Sequence, residues 1–323
     1  MSKKLTYIIK LSVIATLVLL LIVGTFCDLS ISKTVADLKV GKYFSGNHFA
    51  NFLEGVGELP TFILLSACIG IFGYNFSKKK EKLKLAVLFA TAILSFFVLS
   101  YGLIRCVETF AEIYDFSYDI SWFGDELCCM LLSVAIIALG VYLGQKLGDK
   151  KLEKLQFFAL ALIIVCVANF GITQVLKEIF SRPRFRTLRL IGDYELFADW
   201  YKANPFTDVP KNLLALGVGE DGFKSFPSGH TSWACSLIML AYLPTFIEGI
   251  GKRAKICLWT IPSVFVVVVA FSRILAGAHY LTDVIFSLIF SLIVMELVSF
   301  IMLKLQKKQK PKVEIEETAL IEE

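Results

Sequence analysis

Eight stretches of near-continuous apolar residues organise this sequence, and each has about the length that a helix needs to cross a lipid bilayer. They cover residues 7–26, 60–76, 83–103, 127–143, 155–176, 231–247, 256–271 and 280–303. Because 56% of the chain is apolar, the pattern indicates an integral membrane protein rather than a soluble domain. We predict an all-α, polytopic helical membrane protein with about eight transmembrane helices, which has the lipid bilayer as a partner.

The positions of the basic residues predict the orientation of these spans. Lysine and arginine cluster at the N-terminus and in every second connection, in residues 78–84, 146–154, 252–255 and 304–312. Cytoplasmic loops carry an excess of these residues, so both termini are predicted to be cytoplasmic in a multi-pass protein of a cell membrane. The acidic connection 105–126 and the long connection 177–230 then lie outside. A formal net charge of +5 does not indicate a nucleic-acid partner.

Residues 192–203, within the long outer connection, allow two interpretations. Tyr194, Phe197 and Tyr201 share one face at helical spacing, which is typical of an amphipathic helix that lies on the membrane surface. An ordinary loop that caps the helix ends explains the same residues. The sequence leaves both interpretations open.

The eight cysteines of the chain show no spacing that is typical of a metal site. Six of them lie within or at the ends of apolar stretches, namely Cys68, Cys128, Cys129, Cys166, Cys235 and Cys257. We interpret them as small hydrophobic side chains and expect no metal site.

Residues 272–283 join the last two apolar stretches and place four polar residues at the membrane edge: Ser272, Arg273, His279 and Asp283. Ionisable groups in such places are functional-site candidates by default. If the chain is helical from His279 onward, Asp283 lies one turn away and its carboxylate accepts a hydrogen bond from the imidazole. The other ring nitrogen is then a base or a nucleophile, and Arg273 suits an anionic, phosphate-like substrate. A snorkelling arginine beside a capped helix start is the alternative interpretation.

Two further polar clusters lie at the ends of neighbouring stretches. Residues 177–184, of sequence KEIFSRPR, follow the fifth stretch, where interfacial anchoring is the alternative to a functional role. Residues 225–232, of sequence SFPSGHTS, precede the sixth stretch. Ser228 resembles a helix cap, and the amides of Gly229 and His230 at a helix start favour an anion. Capping alone explains Ser228 but does not explain the Gly-His pair.

All three clusters are predicted to lie on the outer side of the membrane. They contain two of the three histidines of the chain, His230 and His279, whereas His48 is predicted to be a solvated loop residue. Together they supply a nucleophile with an orienting carboxylate, a second histidine and several cations around one anion. Such a set predicts a phosphoryl-transfer site.

These residues resemble the motifs of the type-2 phosphatidic acid phosphatase superfamily, the lipid phosphate phosphatases. The motifs of that family are K-x6-R-P, then P-S-G-H, then S-R-x5-H-x3-D. Residues 227–230 and 272–283 match the second and third motifs completely. The resemblance covers roughly residues 155–303, with the motifs in the family's order and spacing.

The first motif matches in part. Lys177 and Arg184 have the spacing of its lysine and arginine, but Phe185 stands where the family has proline. Arg182-Pro183 is a competing Arg-Pro pair with a shorter spacer. The spacing favours Arg184 as the phosphate-binding residue, and Arg182 is the alternative.

The resemblance implies a six-helix phosphatase core within the eight spans. Residues 83–312 would form this membrane core, with the outer loop at 177–230. Residues 1–82 would then be an additional N-terminal pair of transmembrane helices. Residues 313–323 are predicted to be a disordered cytoplasmic tail.

The resemblance also implies a mechanism. His279 would attack phosphorus to form a phosphohistidine, while Asp283 fixes its tautomer and stabilises the imidazolium. His230 would protonate the leaving oxygen and later activate water. The phosphate oxygens would be held by the other matched groups, which are Lys177, Arg184, Ser228, Gly229 and Arg273. No metal or other cofactor is implied, and the active site would face the extracytoplasmic side.

The activity implied by this resemblance is metal-independent hydrolysis of a lipid phosphate or diphosphate, such as polyprenyl diphosphate, phosphatidate or phosphatidylglycerol phosphate. A lipid phosphotransferase would use the same motif residues. A noncatalytic membrane transporter or scaffold is a third interpretation. The sequence names neither the lipid nor the oligomeric state.

Overall fold

A computed structural model of the protein describes residues 3–38, 43–114, 122–203 and 218–319, and the regular structure within them is helical. The α-helices are α1 (Lys3–Val35), α2 (His48–Val56), α3 (Leu59–Lys78), α4 (Lys84–Tyr114), α5 (Trp122–Leu147), α6 (Asp149–Phe180), α7 (Phe185–Ile191), α8 (Gly229–Ser236), α9 (Leu243–Phe246), α10 (Lys252–Leu275) and α11 (Leu281–Ala319). Short 3-10 helices lie at Glu81–Leu83, Glu220–Phe223 and Leu237–Tyr242. The prediction of an all-α fold is confirmed.

Each predicted membrane stretch lies in a helical run, to within one residue at its ends. Among the described residues, seven helices are long and apolar enough to cross a membrane. The sixth stretch, 231–247, forms a shorter composite run in which α8, the 3-10 helix Leu237–Tyr242 and α9 follow one another without a break. Pro244 lies near the start of α9, where its missing N–H removes one helical hydrogen bond. The chain is a polytopic helical membrane protein, as the sequence predicts.

The helices that carry the three polar clusters pack around one apolar core. Side chains from α6, α8, α10 and α11 meet there and are almost fully buried, among them Leu162, Val165, Ala234, Val269 and Met295. In lipid, such contacts stabilise the bundle through close packing rather than through removal of apolar surface from water. This packing fixes the relative positions of the helix ends at which the clusters lie.

The N-terminal helix α1 packs along α11. Leu17 joins an apolar cluster with residues of α10 and α11. Further along α1, a Cβ atom on Gly24 would lie 2.8 Å from Thr282 Cγ2, so only glycine allows this close approach. The helix is therefore in direct contact with the first turn of α11.

Many large apolar side chains are exposed on the outer surfaces of the helices, among them Leu85, Phe89, Val141, Ile261 and Val267. On a soluble domain such an area would mark an interface with another molecule. On helices long enough to cross a membrane, these exposed apolar side chains form the surface that contacts lipid. The backbone polar groups of such a helix are hydrogen-bonded within the helix, so the helix can lie in lipid.

Residues 192–203 form turns and no helix. Of the two interpretations of this segment, the structure therefore agrees with the capping loop and not with the surface helix. The side chain of Trp200 packs on Phe226 and Phe286, with ring centroids 5.8 Å away in both cases. Its Nε1 donates a hydrogen bond to Thr25 Oγ1 at 3.0 Å. These contacts with the helix ends outweigh the helical spacing of the aromatic residues.

Three other segments differ from the sequence interpretation. α11 continues through Ala319 and covers most of the tail 313–323, for which the sequence predicts disorder; this segment contains several good helix formers. The acidic connection 105–126 is helical up to Tyr114 and from Trp122 onward, and the residues between them lie outside the described part of the chain. The short helix α2 is not predicted from the sequence.

Candidate active site

Hydrogen bonds of the main chain join the three polar clusters. The backbone N–H of Ser225 donates to Arg182 O at 2.9 Å, which links the first and second clusters. The backbone N–H of Ser228 donates to Asp283 O at 3.2 Å, which links the second and third. Segments that lie far apart in the sequence are thereby held as one unit.

The third cluster forms a turn between α10 and α11. Gly277 has a φ angle of 62°, in the left-handed region that favours glycine. The backbone N–H groups of Ala278 and His279 donate to Arg273 O at 3.1 and 3.2 Å. The helix resumes only at Leu281, so His279 lies in the turn and not in the helix that the spacing argument assumes.

One ring nitrogen of His279 is held by Ser225. His279 Nδ1 lies 2.6 Å from the carbonyl oxygen of Ser225 and 3.7 Å from Asp283 Oδ2. A carbonyl oxygen can only accept, so Nδ1 carries the proton and Nε2 has the lone pair. Burial lowers the pKa of His279 to about 3; Asp283 opposes this shift and Arg184 reinforces it. The imidazole is therefore neutral at neutral pH. Its Nδ1 proton is accepted directly by the Ser225 carbonyl, whereas the carboxylate of Asp283, which the sequence predicts as the acceptor, lies close by.

The carboxylate of Asp283 is fully paired inside the protein. Its Oδ2 accepts from the backbone N–H of Tyr280 at 2.8 Å and from the hydroxyl of Ser225. Its Oδ1 accepts from Arg182 Nη1 at 2.5 Å. These partners give the carboxylate a fixed position beside His279.

The second cluster forms the start of α8. Ser228 is its helix cap, with Oγ 2.9 Å from Thr231 Oγ1 and 3.4 Å from Thr231 N. Gly229 and His230 follow in the first helical turn. A Cβ atom on Gly229 would lie 3.7 Å from Lys177 Nζ, so this glycine lies directly against the ammonium group of the first cluster.

A cavity of about 950 Å³ connects these groups. The predicted site residues that line it are Lys177, Arg184, Gly229, His230 and His279. Asp283, Ser228 and Arg273 are fully buried and lie outside this lining. For Ser228, the structure therefore favours the helix cap over the predicted phosphate contact.

The two arginines of the first cluster have different surroundings. Arg184 lines the cavity, and its Nη2 lies 2.6 Å from Asp221 Oδ2. Arg182 is buried outside the lining and is paired with Asp28 and Asp283. Pro183 separates them and biases Arg182 toward an extended backbone, so the two side chains leave the chain in different directions. This arrangement favours the longer register, in which Arg184 is the phosphate-binding residue.

Asp221 lies where the cations of the cavity converge. Partial desolvation raises the pKa of its carboxyl, but Arg184 and Lys177 outweigh this effect and lower that pKa below its ordinary value. The side chain is 64% exposed, so water screens the ion pair with Arg184. An ionised Asp221 therefore offsets part of the positive charge of the cavity.

Arg273 is fully buried behind the cavity. Its Nη2 donates to Ala50 O at 2.7 Å, and its Nη1 lies 3.2 Å from Glu54 Oε2. The other oxygen of Glu54 is 2.9 Å from Arg186 Nη1. The arginine of the third motif thus contacts a carboxylate from α2, and both Glu54 and Arg186 line the cavity.

His230 is held on both sides by the junction of α2 and α3. Its Nε2 lies 3.0 Å from Glu54 O, and its Nδ1 lies 3.5 Å from Glu58 Oε1. The sequence interpretation missed both glutamates, which lie in a connection without a recognised motif. Their spacing of four residues beside apolar positions was the available signal.

Aromatic side chains form another wall of the cavity, namely Phe62, Tyr101, Phe170 and Trp233. The rings of Phe62 and Trp233 have centroids 4.7 Å apart. Tyr101 is 57% exposed and Phe170 is 48% exposed, so this wall reaches the outer, lipid-facing surface of the helices. The cavity joins a charged end to an apolar side.

His48 also lines the cavity. It is the first residue of α2, it is exposed, and its Nδ1 lies 3.4 Å from Tyr114 Oη. The sequence interpretation of a solvated residue holds for its exposure, but His48 belongs to a helix and shares the cavity with the other two histidines.

Comparison with known proteins adds an independent observation. Residues 157–307 match the PAP2 superfamily. Lipid phosphate phosphatase 2 of Arabidopsis thaliana is 29% identical over 175 residues, which are 51% of this chain and 56% of that protein. Probable lipid phosphate phosphatase 4 of the same plant is 30% identical over 167 residues, which are 49% of this chain and 50% of that protein.

The chain therefore spans about half the length of these curated relatives. No solved structure matches it. The matched region contains all three clusters and the helices α7 to α10, together with most of α6 and most of α11. Over residues 157–307 the chain is similar to the PAP2 superfamily, and it resembles lipid phosphate phosphatases over about half of its length.

Proposed function

We propose that this protein hydrolyses the phosphate or diphosphate group of a membrane lipid through a phosphohistidine on His279. The observation that carries the proposal is the state of this imidazole. Its Nδ1 proton is bonded to the Ser225 carbonyl, which leaves the Nε2 lone pair available in a cavity that Lys177 and Arg184 also line. A neutral imidazole among cations suits attack on an anionic phosphorus centre.

The proposed reaction has two steps. In the first, His279 Nε2 forms a bond to phosphorus while the bond to the leaving oxygen breaks, and His230 donates a proton to that oxygen. Asp283 stabilises the positive charge that the phosphorylated ring then carries. In the second step, neutral His230 takes a proton from water, the water oxygen attacks phosphorus, and the P–N bond breaks to return neutral His279.

The non-bridging phosphate oxygens need positive charge, because negative charge develops there in the transition state. We assign this role to Lys177, Arg184 and the backbone amide of Gly229. Arg273 would add to the same positive field from behind the cavity, where it shares Glu54 with Arg186. Side-chain cations would supply the charge that metal ions supply in other phosphoryl-transfer enzymes, so we expect activity without added metal.

The shape of the cavity supports a lipid as substrate. Its charged end contains the groups that we propose to bind phosphate. Its aromatic wall includes Phe62, Tyr101, Phe170 and Trp233. Since Tyr101 and Phe170 are also exposed toward lipid, a headgroup would enter the cavity while its acyl or prenyl chains remain in the membrane. A soluble phosphate ester would leave this apolar wall unused.

Purified protein in detergent should release phosphate from at least one lipid of a defined panel: phosphatidate, phosphatidylglycerol phosphate and polyprenyl diphosphate. We expect EDTA to leave this rate unchanged. An acceptor lipid should be included in parallel reactions, and its phosphorylation instead of phosphate release would indicate the phosphotransferase. Absence of turnover on the whole panel, with protein that remains folded in thermal melts, would support the noncatalytic alternative.

We also propose that the site faces the extracytoplasmic side, because the basic connections alternate as the positive-inside rule requires. A cysteine introduced at Glu195, in an exposed turn of the connection 177–230, should react with a membrane-impermeant maleimide in intact cells. Cysteines at Lys80 and Lys151 should react only after lysis. The native exposed thiols, Cys128 and Cys257, should first be replaced by serine.

If the cysteine at position 80 or 151 reacts in intact cells while the one at position 195 does not, the orientation of the protein in the membrane is the reverse of the one proposed. Two other outer positions follow from the sequence, Asp119 and Asp208, and both lie outside the described residues.

A further inference from the structure

A buried group of charges connects the N-terminal helix to the proposed catalytic carboxylate. Arg182 Nη2 lies 2.9 Å from Asp28 Oδ2 on α1, and Arg182 Nη1 lies 2.5 Å from Asp283 Oδ1 on α11. Asp28 is only 3% exposed, and the other two side chains are more deeply buried. Asp28 lies outside the region 157–307 that matches the PAP2 superfamily. One guanidinium is therefore shared between a carboxylate of the third motif and a carboxylate from outside the matched region.

The position of Asp28 is closely defined by its neighbours. Its Oδ1 accepts from the backbone N–H of Thr282 at 3.0 Å, and its Oδ2 accepts from the hydroxyl of the same threonine. Gly24, one helical turn earlier, allows α1 to approach Thr282. Asp28 thus lies buried against the first turn of α11, where Thr282 and Asp283 follow one another.

Sharing of the guanidinium determines how much negative charge Asp283 presents to His279. Phosphorylation puts a positive charge on the imidazole, because Nε2 donates its lone pair to phosphorus while Nδ1 keeps its proton. If Arg182 were paired with Asp283 alone, their charges would cancel and leave little field at the ring. With Asp28 on the other side, the group of three carries one net negative charge.

We propose that Asp28 is a positioning residue for the phosphohistidine chemistry: it binds and partly neutralises Arg182, so that Asp283 remains an effective anion toward His279. The inference rests on the proposed function. It gives a part in catalysis to α1, which the sequence predicts to belong to an additional N-terminal helix pair. The Asp28 carboxylate touches no substrate and acts only through Arg182.

The test is Asp28→Asn, because the amide oxygen still accepts from Thr282 N–H while the charge is lost. The maximal rate of phosphoenzyme formation should fall about 10- to 100-fold, the range typical of residues that orient a functional histidine through a second partner. The inhibition constant of inorganic phosphate should stay within about twofold, because neither Lys177 nor Arg184 contacts Asp28. Arg184→Lys is the opposite case and should raise that inhibition constant, since an ammonium group replaces a bidentate guanidinium poorly.

Lys10→Gln is the matched control for the packing of α1. Lys10 forms an ion pair with Glu296 of α11, and both side chains are about half exposed. Removing this pair loosens the same helix contact without touching Asp28, so phosphoenzyme formation should be unchanged. An equal loss in Lys10→Gln and Asp28→Asn would show that α1 only stabilises the fold, and would overturn the inference.

A second comparison uses Arg182→Gln as background and keeps the test valid if Asp28→Asn alone does not fold. Asp28→Asn should have no further effect there, because its route to Asp283 is already removed. A further loss of the full size in this background would contradict an action through Arg182. Wild-type protein that forms no phosphoenzyme would instead contradict the proposed function, whereas wild-type activity with an unaffected Asp28→Asn variant would contradict this inference alone.

Discussion

Replacing His279 by alanine should lower lipid phosphate turnover by about 10⁴-fold or more and abolish the phosphoenzyme. The variant removes the Nε2 lone pair that we propose as nucleophile, and the cations of the cavity can then only bind the substrate. The measurement is a brief reaction with substrate that carries radiolabelled phosphate, followed by an alkaline quench. Phosphohistidine survives alkali and is lost in acid, so retention of label under these two conditions identifies the residue type.

His48→Ala is the matched control for this experiment. His48 lines the same cavity, but its side chain is exposed and its Nδ1 faces Tyr114. Its loss should change phosphoenzyme formation by no more than a few-fold. Alkali-stable label on His279→Ala, or loss of label from His48→Ala, would show that the nucleophile is another residue.

The positions of the membrane helices follow well from hydropathy, but their ends do not. The first apolar stretch ends at residue 26, whereas α1 continues to Val35. The added turns contain Asp28 and Ser32, which are buried because α1 meets neighbouring helices there. A hydropathy window sees polar residues and ends the span, since the packing partners are distant in sequence. Helix ends in a bundle depend on such contacts.

The aromatic segment 192–203 shows the same limitation in another form. Its spacing suits a surface helix, yet Phe197 packs edge-on against Tyr280 at 5.3 Å, and Trp200 packs on Phe226. Partners on the second and third clusters therefore decide the conformation of this segment. Local periodicity contains no information about them.

Motif spacing identifies the groups to which we assign the proposed chemistry, including Lys177, His230 and His279, because the order of three motifs is a strong pattern. The partners of these groups are less accessible from sequence. The acceptor of the His279 proton is the main-chain oxygen of Ser225, and any residue type has such an oxygen. Glu54 carries no motif, and its role depends on the fold that brings α2 beside Arg273.

Asp28 is an intermediate case. An acidic residue next to an apolar stretch is a functional candidate on physical grounds. Its partner Arg182 lies 154 positions away, and the sequence gives no indication that the two meet. The sequence thus predicts the reacting groups, whereas the structure adds the charges that set their environment.

Replacing His230 by alanine should have different effects on two kinds of substrate. Turnover of an alkyl lipid phosphate should fall by about 10²- to 10⁴-fold, because the leaving alkoxide then lacks its proton donor. An aryl phosphate with an acidic phenol needs no such proton, so its rate of phosphoenzyme formation should fall far less. Hydrolysis of the phosphohistidine needs a base for water, so the labelled phosphoenzyme should accumulate. The measurement is the amplitude and decay of label on the protein with each substrate.

The contacts of His230 bear on the two steps that we propose for it. Its Nε2 lies 3.0 Å from the carbonyl oxygen of Glu54, and its Nδ1 lies 3.5 Å from the carboxylate of Glu58. Burial lowers the pKa of His230, and these two acceptors oppose that shift because they stabilise the protonated ring. Glu58→Gln keeps the size of this partner and removes its charge, and should reduce turnover of the alkyl substrate more than that of the aryl substrate. If His230→Ala instead removes the phosphoenzyme with both substrates while His279→Ala retains it, the two histidines have exchanged roles, and the proton donor is the residue of the third motif.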